Sequence, residues 1–287
     1  MPELPEVETI RLQLLNKILN KTITKVEVFH VKTTGNDKGI KKVLVGKKFA
    51  DIRRVGKLMI FDFKNERDLF LLVHLKMTGQ FFYVDAKETV GGGHFATEKD
   101  STDLPHKHTR LAIHFKDKST LYFNDMRLFG YVKVANAETV EKAIARFGPE
   151  PTDPNFDHQN FYKILKNRKT SIKAVLLNQT LIAGLGNIYV DEALFLAKVK
   201  PTRLANTITE KEITAITKAG GKVMNKAIKV GGTTFQHFVD TGGDTGNYTD
   251  YLKVFGKQNT PCPICGTLIE KTKVAGRGTH FCPQCQK

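Results

Sequence analysis

The sequence predicts an α+β protein with a leading helix, an antiparallel β-sandwich, a helical domain and a small zinc-binding tail. Three observations support this prediction. Short β-like runs, separated by Gly, Asn and Asp turn signals, fill residues 22 to about 134. Helical periodicity follows a proline-broken stretch at 148–154. All four cysteines lie in the last 26 residues of the chain.

The first domain is expected to span residues 1–134. Residues 5–19 (PEVETIRLQLLNKIL) predict an amphipathic helix, because Pro suits a first helical turn and apolar residues recur at helical spacing. The expected apolar stripe of this helix consists of Val7, Ile10, Leu14 and Ile18. Six runs predict strands: ITKVEVF, KLMIFDF, LFLLVHL, TRLAIHF, STLYFND and YVKVA. Residues 90–108 are Gly-rich and polar, which predicts an exposed loop.

A linker at 135–154 and a helical domain at 155–256 are expected after the sandwich. Four segments of the helical domain have helical periodicity: FDHQNFYKILKNR, SIKAVLLNQ, NIYVDEALFLAK and EKEITAITKAGGKVMNKAIK. Thr209 followed by Glu212 predicts a capping box at the start of the last helix. The Gly-Gly pair at 220–221 is unfavourable inside a helix and is the weakest point of this prediction.

The charge of the chain indicates a polyanionic partner. There are 45 Lys and Arg residues against 29 Asp and Glu, giving a formal net charge of +16 and an isoelectric point near 9.6. Each phosphate that a basic side chain neutralises releases condensed counterions. Net charge alone does not separate DNA from RNA or from an anionic membrane. No apolar run reaches the roughly 20 residues of a bilayer span, and the acidic start MPELPEVE argues against a signal peptide. A cytoplasmic protein is therefore expected, with no membrane partner.

The last expected domain, residues 257–287, contains two Cys-x-x-Cys pairs with 16 residues between them. The ligands are Cys262, Cys265, Cys282 and Cys285. Each pair presents two thiolates on one tight turn, and two such turns make the tetrahedral S4 shell that Zn²⁺ prefers. Two redox dithiols or two disulfides are the alternative interpretation. Both spacings fit the zinc template, and four protein ligands leave no open coordination position, so one structural Zn²⁺ is predicted.

Five segments occur in the chain in one order: MPELPEVET, HLKMTGQ, DMRLFG, AGLGNIYVDEALF and KVAGRGTHFCPQCQ. Together they resemble the formamidopyrimidine-DNA glycosylase family, over a stretch from Pro2 to Gln286. The resemblance implies an N-terminal β-sandwich, a helix–two-turns–helix DNA-binding domain and a C-terminal zinc finger. It implies a monomeric repair enzyme whose partner is double-stranded DNA containing oxidised bases or abasic sites. Such an enzyme excises oxidised purines (8-oxoguanine, formamidopyrimidines) through a proline Schiff base and nicks the strand by β,δ-elimination.

The N-terminus carries the chemistry that this resemblance implies. If Met1 is removed, Pro2 supplies a secondary amine, and the reference α-amino pKa of about 8 leaves a useful fraction unprotonated. Attack on a sugar C1′ gives an iminium that cannot lose a proton from nitrogen and so acts as an electron sink for β-elimination. Glu3 is the expected general acid/base. Glu6 is expected to support the site, or simply to stabilise the helix N-terminus. Lys57 is assigned to the active site by the resemblance.

Met77, Arg127 and Phe129 are the candidates for filling the gap that an extruded base leaves. Chemistry on a base inside a duplex requires this extrusion. Met and Phe are apolar wedges, and Arg carries donors for the widowed partner base. Read alone, Met77 and Phe129 would be core residues. Their Gly-bounded turns, HLKMTG and DMRLFG, make an apolar tip harder to bury, and the resemblance assigns the gap-filling role to all three.

Four further residues are the expected DNA phosphate contacts. The Gly-Leu-Gly-Asn sequence ending at Asn187 leads directly into a helix, whose N-terminus attracts anions, although a plain Gly-rich turn would have the same geometry. Lys173 is expected on the preceding helix near the substrate, and Arg277 at a hairpin tip between the cysteine pairs. His74 has an alternative interpretation, since a lone histidine on an apolar strand is usually a core residue. The resemblance places these four regions around the lesion.

Two positions depart from the family pattern. Gln236 stands where relatives often have a basic residue, and Asn178 stands where an acidic residue is common. Residues 241–251 are the Gly-rich segment expected to close over the flipped base.

Two other functions stay open: an endonuclease VIII-type glycosylase, which prefers oxidised pyrimidines, and a non-enzymatic zinc-ribbon DNA-binding protein. Leu4 and the three gap-filling residues favour the purine-specific branch, and a binding module would leave the N-terminal amine and carboxylate without a role.

Overall fold

The computed structural model describes residues 2–37, 39–93, 103–232 and 248–287, and the chain divides into two compact units. The first unit comprises residues 1–145 with 230–249, and the second comprises residues 146–229 with 250–287. The helical region and the cysteine tail therefore share one unit. Within the described ranges, no helix combines the length and the apolar content that crossing a membrane requires.

Antiparallel β-structure dominates the first unit, whose described residues form nine strands. These strands are β1 (Ile23–Val28), β2 (Phe49–Val55), β3 (Leu58–Phe63), β4 (Phe70–His74), β5 (Gly79–Val84), β6 (Thr89–Gly93), β7 (Thr109–Phe115), β8 (Thr120–Asp125) and β9 (Tyr131–Ala135). One sheet has the order β1-β7-β8-β5-β6 and the other has the order β2-β3-β4-β9. Side chains from both sheets form one buried apolar cluster, which gives the expected sandwich.

The six predicted β-runs are confirmed as β1, β3, β4, β7, β8 and β9. Strands β2, β5 and β6 were not predicted, and the expected loop at 90–108 is wrong at its start, because β6 continues to Gly93 and pairs with β5. Glycines weaken a strand by themselves, but here the close approach of a helix requires one. A Cβ at Gly92 would lie 3.0 Å from Cγ1 of Ile10.

In the described residues of the first unit, three helices accompany the sheets: α1 (Leu4–Ile18), α2 (Ile40–Leu44) and α3 (Ala137–Ile144). The apolar stripe predicted for α1 is confirmed, since all four of its residues are at most 2% exposed and join the sandwich core. Helix α3 occupies part of the expected linker. It begins there because the Asn136 side chain accepts a hydrogen bond from the Thr139 N–H at 2.9 Å, which caps the helix.

Four helices form the described helical part of the second unit: α4 (His158–Lys166), α5 (Ile172–Leu177), α6 (Asn187–Leu196) and α7 (Glu210–Lys229). The capping box of α7 is confirmed, because the Thr209 N–H donates to Glu212 at 2.8 Å and the Glu212 N–H donates to Oγ1 of Thr209 at 3.3 Å. Helix α7 is continuous through the Gly220-Gly221 pair, which does not break it. The glycine pair instead permits close packing, since a Cβ at Gly221 would lie 2.3 Å from the Pro151 carbonyl oxygen.

The cysteine tail forms a hairpin of β10 (Glu270–Val274) and β11 (Arg277–Phe281). Its small core contains Val254, Cys262, Ile269 and Cys282 packed with Phe195 of α6. Helix α6 also fixes the start of the tail through Glu192, whose carboxylate accepts backbone N–H bonds of 2.9–3.1 Å from residues 253–255. Both apolar packing and a buried carboxylate therefore attach the tail to α6.

Candidate functional site

Pro2 and Glu3 lie at the N-terminus of α1, and both are buried. Glu3 is the N-cap residue, and its backbone N–H donates a 2.8 Å hydrogen bond to Oε2 of Glu6 one turn into the helix. Both carboxylates are only 4% exposed. A helix N-terminus favours negative charge, so these acidic groups are stabilised next to the potential amine nucleophile.

A second segment of the first unit, which contains Gly232, lies at the same end of α1. Gly232 has a φ of +88°, and a Cβ at this position would lie 3.2 Å from Oε1 of Glu6. Its carbonyl oxygen accepts the Tyr248 N–H at 3.1 Å. Of the segment expected to close over a base, only residues 248–251 are described, and they form a short 3-10 helix. Gln236 lies outside the described residues, as do residues 94–102 of the expected loop.

Lys57 and His74 are near each other at the ends of neighbouring strands of the β2-β3-β4-β9 sheet. Lys57 immediately precedes β3 and is 4% exposed, while His74 ends β4. Burial, together with the positive charges of Lys76 and Lys57, lowers the pKa of His74 to about 3. Nδ1 of His74 accepts the Lys76 N–H at 3.0 Å. The neutral ring therefore carries its proton on Nε2, which can donate to an anion.

Met77, Arg127 and Phe129 form one surface cluster in the first unit. Nη1 of Arg127 donates to Sδ of Met77 at 3.1 Å. The same guanidinium lies 4.8 Å from the centroid of the Phe129 ring. Phe129 is 49% exposed, so part of its ring faces solvent. The structure thus brings the three predicted gap-filling residues together, with two apolar side chains flanking a cation.

Asp125 organises the turn that presents this cluster, a role that the sequence analysis missed. Its carboxylate is fully buried and accepts hydrogen bonds from the Thr78 hydroxyl, from the Arg127 N–H at 3.1 Å and from the Gly130 N–H at 2.7 Å. Thr78 also connects the turn to the one that carries Met77. An acidic residue directly before a turn that ends in Gly was the available signal, because Asp often binds the N–H groups that follow it.

In the second unit, Lys173 is buried, whereas it was expected to contact a DNA phosphate directly. This residue lies on α5 as expected, but it is fully buried. Its Nζ donates to Oδ1 of Asp191 on α6 at 2.6 Å and to the Gly278 carbonyl oxygen of β11 at 3.3 Å. A fully buried ammonium needs such an internal partner. Lys173 can therefore influence the protein surface only indirectly, through the residues to which it is hydrogen-bonded.

Asn187 and Arg277 occupy the positions expected from the sequence. Asn187 is the first residue of α6, and its Nδ2 donates to the Gly278 carbonyl oxygen at 3.0 Å. Arg277 begins β11 and is exposed, directly after a turn with positive φ at Ala275 and Gly276. The turn before α6 is fixed by a residue that the sequence analysis missed. Gln179 accepts the Gly184 N–H at 2.9 Å and donates to the Leu185 carbonyl at 2.7 Å.

The four cysteine Sγ atoms of the tail lie within 4.8 Å of one another. A tetrahedral S4 site with Zn–S bonds of about 2.3 Å requires sulfur separations of about 3.8 Å. The Cys262–Cys285 and Cys265–Cys282 separations, 3.9 and 3.5 Å, fit this requirement. They exclude S–S bonds between those partners, and all four cysteines are free thiols. The predicted structural zinc site is therefore confirmed, with these four thiolates as its ligands.

Comparison with known proteins gives matches along nearly the whole chain. Residues 1–132 match the family model of the formamidopyrimidine-DNA glycosylase N-terminal domain, residues 147–239 that of the formamidopyrimidine-DNA glycosylase H2TH domain, and residues 260–287 that of the zinc finger found in FPG and IleRS. The formamidopyrimidine-DNA glycosylase of Listeria innocua is 42% identical over 292 aligned residues, with 100% of each chain covered. That of Mycoplasma mobile is 37% identical, covering 100% of this chain and 99% of the relative.

Solved structures with the same fold contain DNA. The complex of Lactococcus lactis Fpg with DNA containing an abasic site has a TM-score of 0.87 and 36% identity, with 100% of both chains covered. A complex of a Lactococcus lactis FPG mutant with DNA containing Fapy-dG has a TM-score of 0.88 and 36% identity, again with 100% coverage of both chains. The sandwich, the helical region and the cysteine tail of this chain thus match one fold along its full length.

Proposed function

The chain belongs to the formamidopyrimidine-DNA glycosylase family, and from this premise we propose that it is a bifunctional glycosylase and AP lyase that excises oxidised purines from duplex DNA. The substrates are 8-oxoguanine and formamidopyrimidines, and the process is base excision repair. The observation that carries the proposal is the N-terminus itself: Pro2 and Glu3 are buried side by side at a helix end. The Met77, Arg127 and Phe129 cluster in the same unit supplies the means to extrude a base.

Pro2 is the proposed nucleophile once Met1 has been removed. Its nitrogen lone pair forms a bond to C1′ while the bond from C1′ to the damaged base breaks, and the base leaves with a proton. The amine nitrogen then loses its proton, and its lone pair breaks the C1′–O4′ bond while O4′ takes up a proton, which opens the sugar ring. The iminium so formed carries a permanent positive charge, because its nitrogen is bonded only to carbon and has no proton to lose. Removal of a 2′ proton then expels the 3′ phosphate, and a further elimination expels the 5′ phosphate. Glu3 moves these protons from its position beside the amine.

Met77, Arg127 and Phe129 are proposed to occupy the gap in the duplex. Extrusion breaks base stacking, so apolar side chains that enter the stack recover part of that energy. The Arg127 guanidinium supplies donors for the orphaned base and is held in place by both neighbours. This role would make use of the Phe129 ring, which is half-exposed to solvent in the free protein.

Phosphate contacts are proposed for Lys57 and His74 in the first unit and for Asn187 and Arg277 in the second. His74 contributes a neutral N–H donor, because its pKa is lowered to about 3. Asn187 adds its amide to the N-terminus of α6, where helix N–H groups favour an anion. Arg277 presents an exposed guanidinium beside the zinc site, a geometry suited to a phosphate fork. The zinc holds the hairpin that carries Arg277 and takes no part in the chemistry.

The decisive experiment compares the processed protein with a form that keeps residues ahead of Pro2. The processed form should release 8-oxoguanine, nick the strand and, with borohydride, form a covalent adduct that maps to Pro2. The extended form should lose all three activities together, because they pass through one iminium, while its zinc content and lesion binding stay unchanged. Glu3→Gln should bind the lesion but turn over slowly.

Three outcomes would contradict the proposal. Equal trapping and cleavage by the extended form would exclude Pro2 and make Lys57 the first alternative nucleophile. Preferential excision of dihydrouracil over 8-oxoguanine from matched duplexes would assign the chain to the pyrimidine-specific type. Binding without any excision by the processed form would indicate a DNA-binding protein without enzymatic activity.

A further inference from the structure

Lys173 and Asp191 form a fully buried ion pair between α5 and α6, with 0% exposure on both side chains. Burying two charges costs desolvation energy, which good geometry and additional hydrogen bonds must offset. Both groups have such a hydrogen bond, and in each case the partner is a backbone group of β11. Nζ of Lys173 donates to the Gly278 carbonyl oxygen at 3.3 Å, and Oδ2 of Asp191 accepts the His280 N–H at 2.8 Å.

Two residues of β11 are therefore tied to the interior of the second unit immediately after Arg277. Gly278 follows Arg277 directly, and its carbonyl oxygen also accepts Nδ2 of Asn187 at 3.0 Å. One carbonyl thus receives a hydrogen bond from the buried ammonium and another from the residue that begins α6. The exposed guanidinium of Arg277 and the half-buried N-terminus of α6 are connected through this single peptide group.

We propose that Lys173 and Asp191 are positioning residues, which hold Arg277 and Asn187 in register so that together they bind the DNA backbone. This inference rests on the proposed function, because it takes DNA phosphate as the ligand. The pair itself touches no DNA. It fixes the backbone from which Arg277 extends, and it restricts the rotation of the hairpin relative to the start of α6.

Glu192 separates this role from simple attachment of the tail. It is the neighbour of Asp191 on α6, it is 1% exposed, and it also binds the tail. Its hydrogen bonds go to the N–H groups of residues 253–255, whereas those of Lys173 and Asp191 go to β11. If buried acids on α6 only attach the tail, replacing either one should have the same effect on DNA binding. If Asp191 positions Arg277, only its replacement should remove a phosphate contact.

The test measures how affinity depends on salt, using a duplex with a tetrahydrofuran abasic analogue that the amine cannot attack. In Lys173→Met/Asp191→Asn, which removes both charges and keeps an acceptor for the His280 N–H, affinity should fall about tenfold. The slope of log affinity against log salt should fall by about 0.9, equivalent to one phosphate. Adding Arg277→Ala to this variant should produce almost no further loss, since the contact is already gone.

Glu192→Gln is the matched control and should keep the full salt slope, even if it unfolds more easily. Zinc content and the unfolding transition establish that each variant is folded. If the double variant does not fold, Asp191→Asn alone is measured in the same way. An unchanged slope in the folded variant, or a full additional loss from Arg277→Ala, would overturn the inference. Excision assays on the native protein separately decide the proposed function, because binding is measured here without catalysis.

Discussion

Two residues, one in each unit, depart from the usual burial of their residue type in opposite directions. In the first unit Phe129, an aromatic residue, is 49% exposed at a turn, whereas in the second unit Lys173 is 0% exposed. Average behaviour is the reverse, with phenylalanine inside and lysine outside. Each exception has a different physical meaning. An exposed aromatic ring loses contact with water only when a binding partner covers it. A buried ammonium is instead neutralised and hydrogen-bonded within the folded protein.

This difference distinguishes residues that can contact a ligand directly from residues that only position others. The Phe129 ring is 49% exposed, and under the proposed function this exposed ring enters the gap that an extruded base leaves. The charge of Lys173 is neutralised by Asp191, so Lys173 fixes the local structure and does not itself attract an anion. A residue that binds directly must stay accessible, and a residue that positions another is best kept away from water.

The largest expected effect comes from Asp125, which holds the exposed cluster in place. Asp125→Ala would leave the Arg127 and Gly130 N–H groups without their buried acceptor, at a cost of about 3 kcal/mol in the free energy of unfolding. Excision of 8-oxoguanine from a duplex should fall by about 100-fold, because the turn no longer fixes Arg127 and Phe129. Denaturant unfolding and single-turnover excision measure the two effects.

Asp62→Ala is the matched control for this prediction. Asp62 also belongs to the first unit and accepts a 2.7 Å bond from Arg53, but this pair is at the surface. Exposed pairs contribute little, so the free energy of unfolding should change by about 0.5 kcal/mol and excision should not change. Similar losses in both variants would show that Asp125 acts through general stability and not through the turn.

A smaller effect is expected when an exposed aromatic ring is removed. Phe129→Ala should change the free energy of unfolding by less than about 0.5 kcal/mol, because the ring is half-exposed. Excision from a duplex should fall roughly 10-fold to 30-fold, since the gap is filled less well. A single-stranded lesion needs little extrusion and should be affected much less. Phe29, 48% exposed in the same unit, provides the control, and equal losses in Phe29→Ala would contradict the role of Phe129.

Periodicity predicted much of the fold because it reports burial directly. The α1 stripe and six strands are confirmed, and each has a regular apolar pattern within its own segment. The Gly-rich strand β6 has no such pattern. Its central glycine, Gly92, is explained by the close approach of Ile10, a contact far away in the sequence. Gly221 within α7 has the same kind of cause, since only the folded chain brings Pro151 next to it.

The candidate site was predictable where a residue's role depends on its immediate neighbours. The Cys-x-x-Cys spacing predicted the zinc ligands, and Gly-bounded turns explained why Met77 and Phe129 would not be buried. Lys173 could not be placed in this way, because its burial depends on Asp191 in another helix. Asp125 and Gln179 were missed for a related reason. Their function is to hold backbone groups, and sequence alone does not show which backbone groups need holding.

The smallest expected effect tests whether His74 is a buried neutral group in the first unit, in contrast to the charged pair of the second. Its pKa of about 3 in the folded protein lies below the usual value of 6.5, so between these values the unfolded chain binds a proton that the folded chain does not. Stability should therefore decrease as pH falls below about 6.5, by about 1 kcal/mol between pH 7 and 5.5. His74→Gln removes this titration, so its unfolding free energy should decrease less over the same range when both proteins are unfolded by denaturant at each pH. Parallel curves for the two proteins would mean that His74 titrates normally in the folded state. The ring would then be protonated in acid and would bind a phosphate as a cation, and DNA affinity would rise as pH falls.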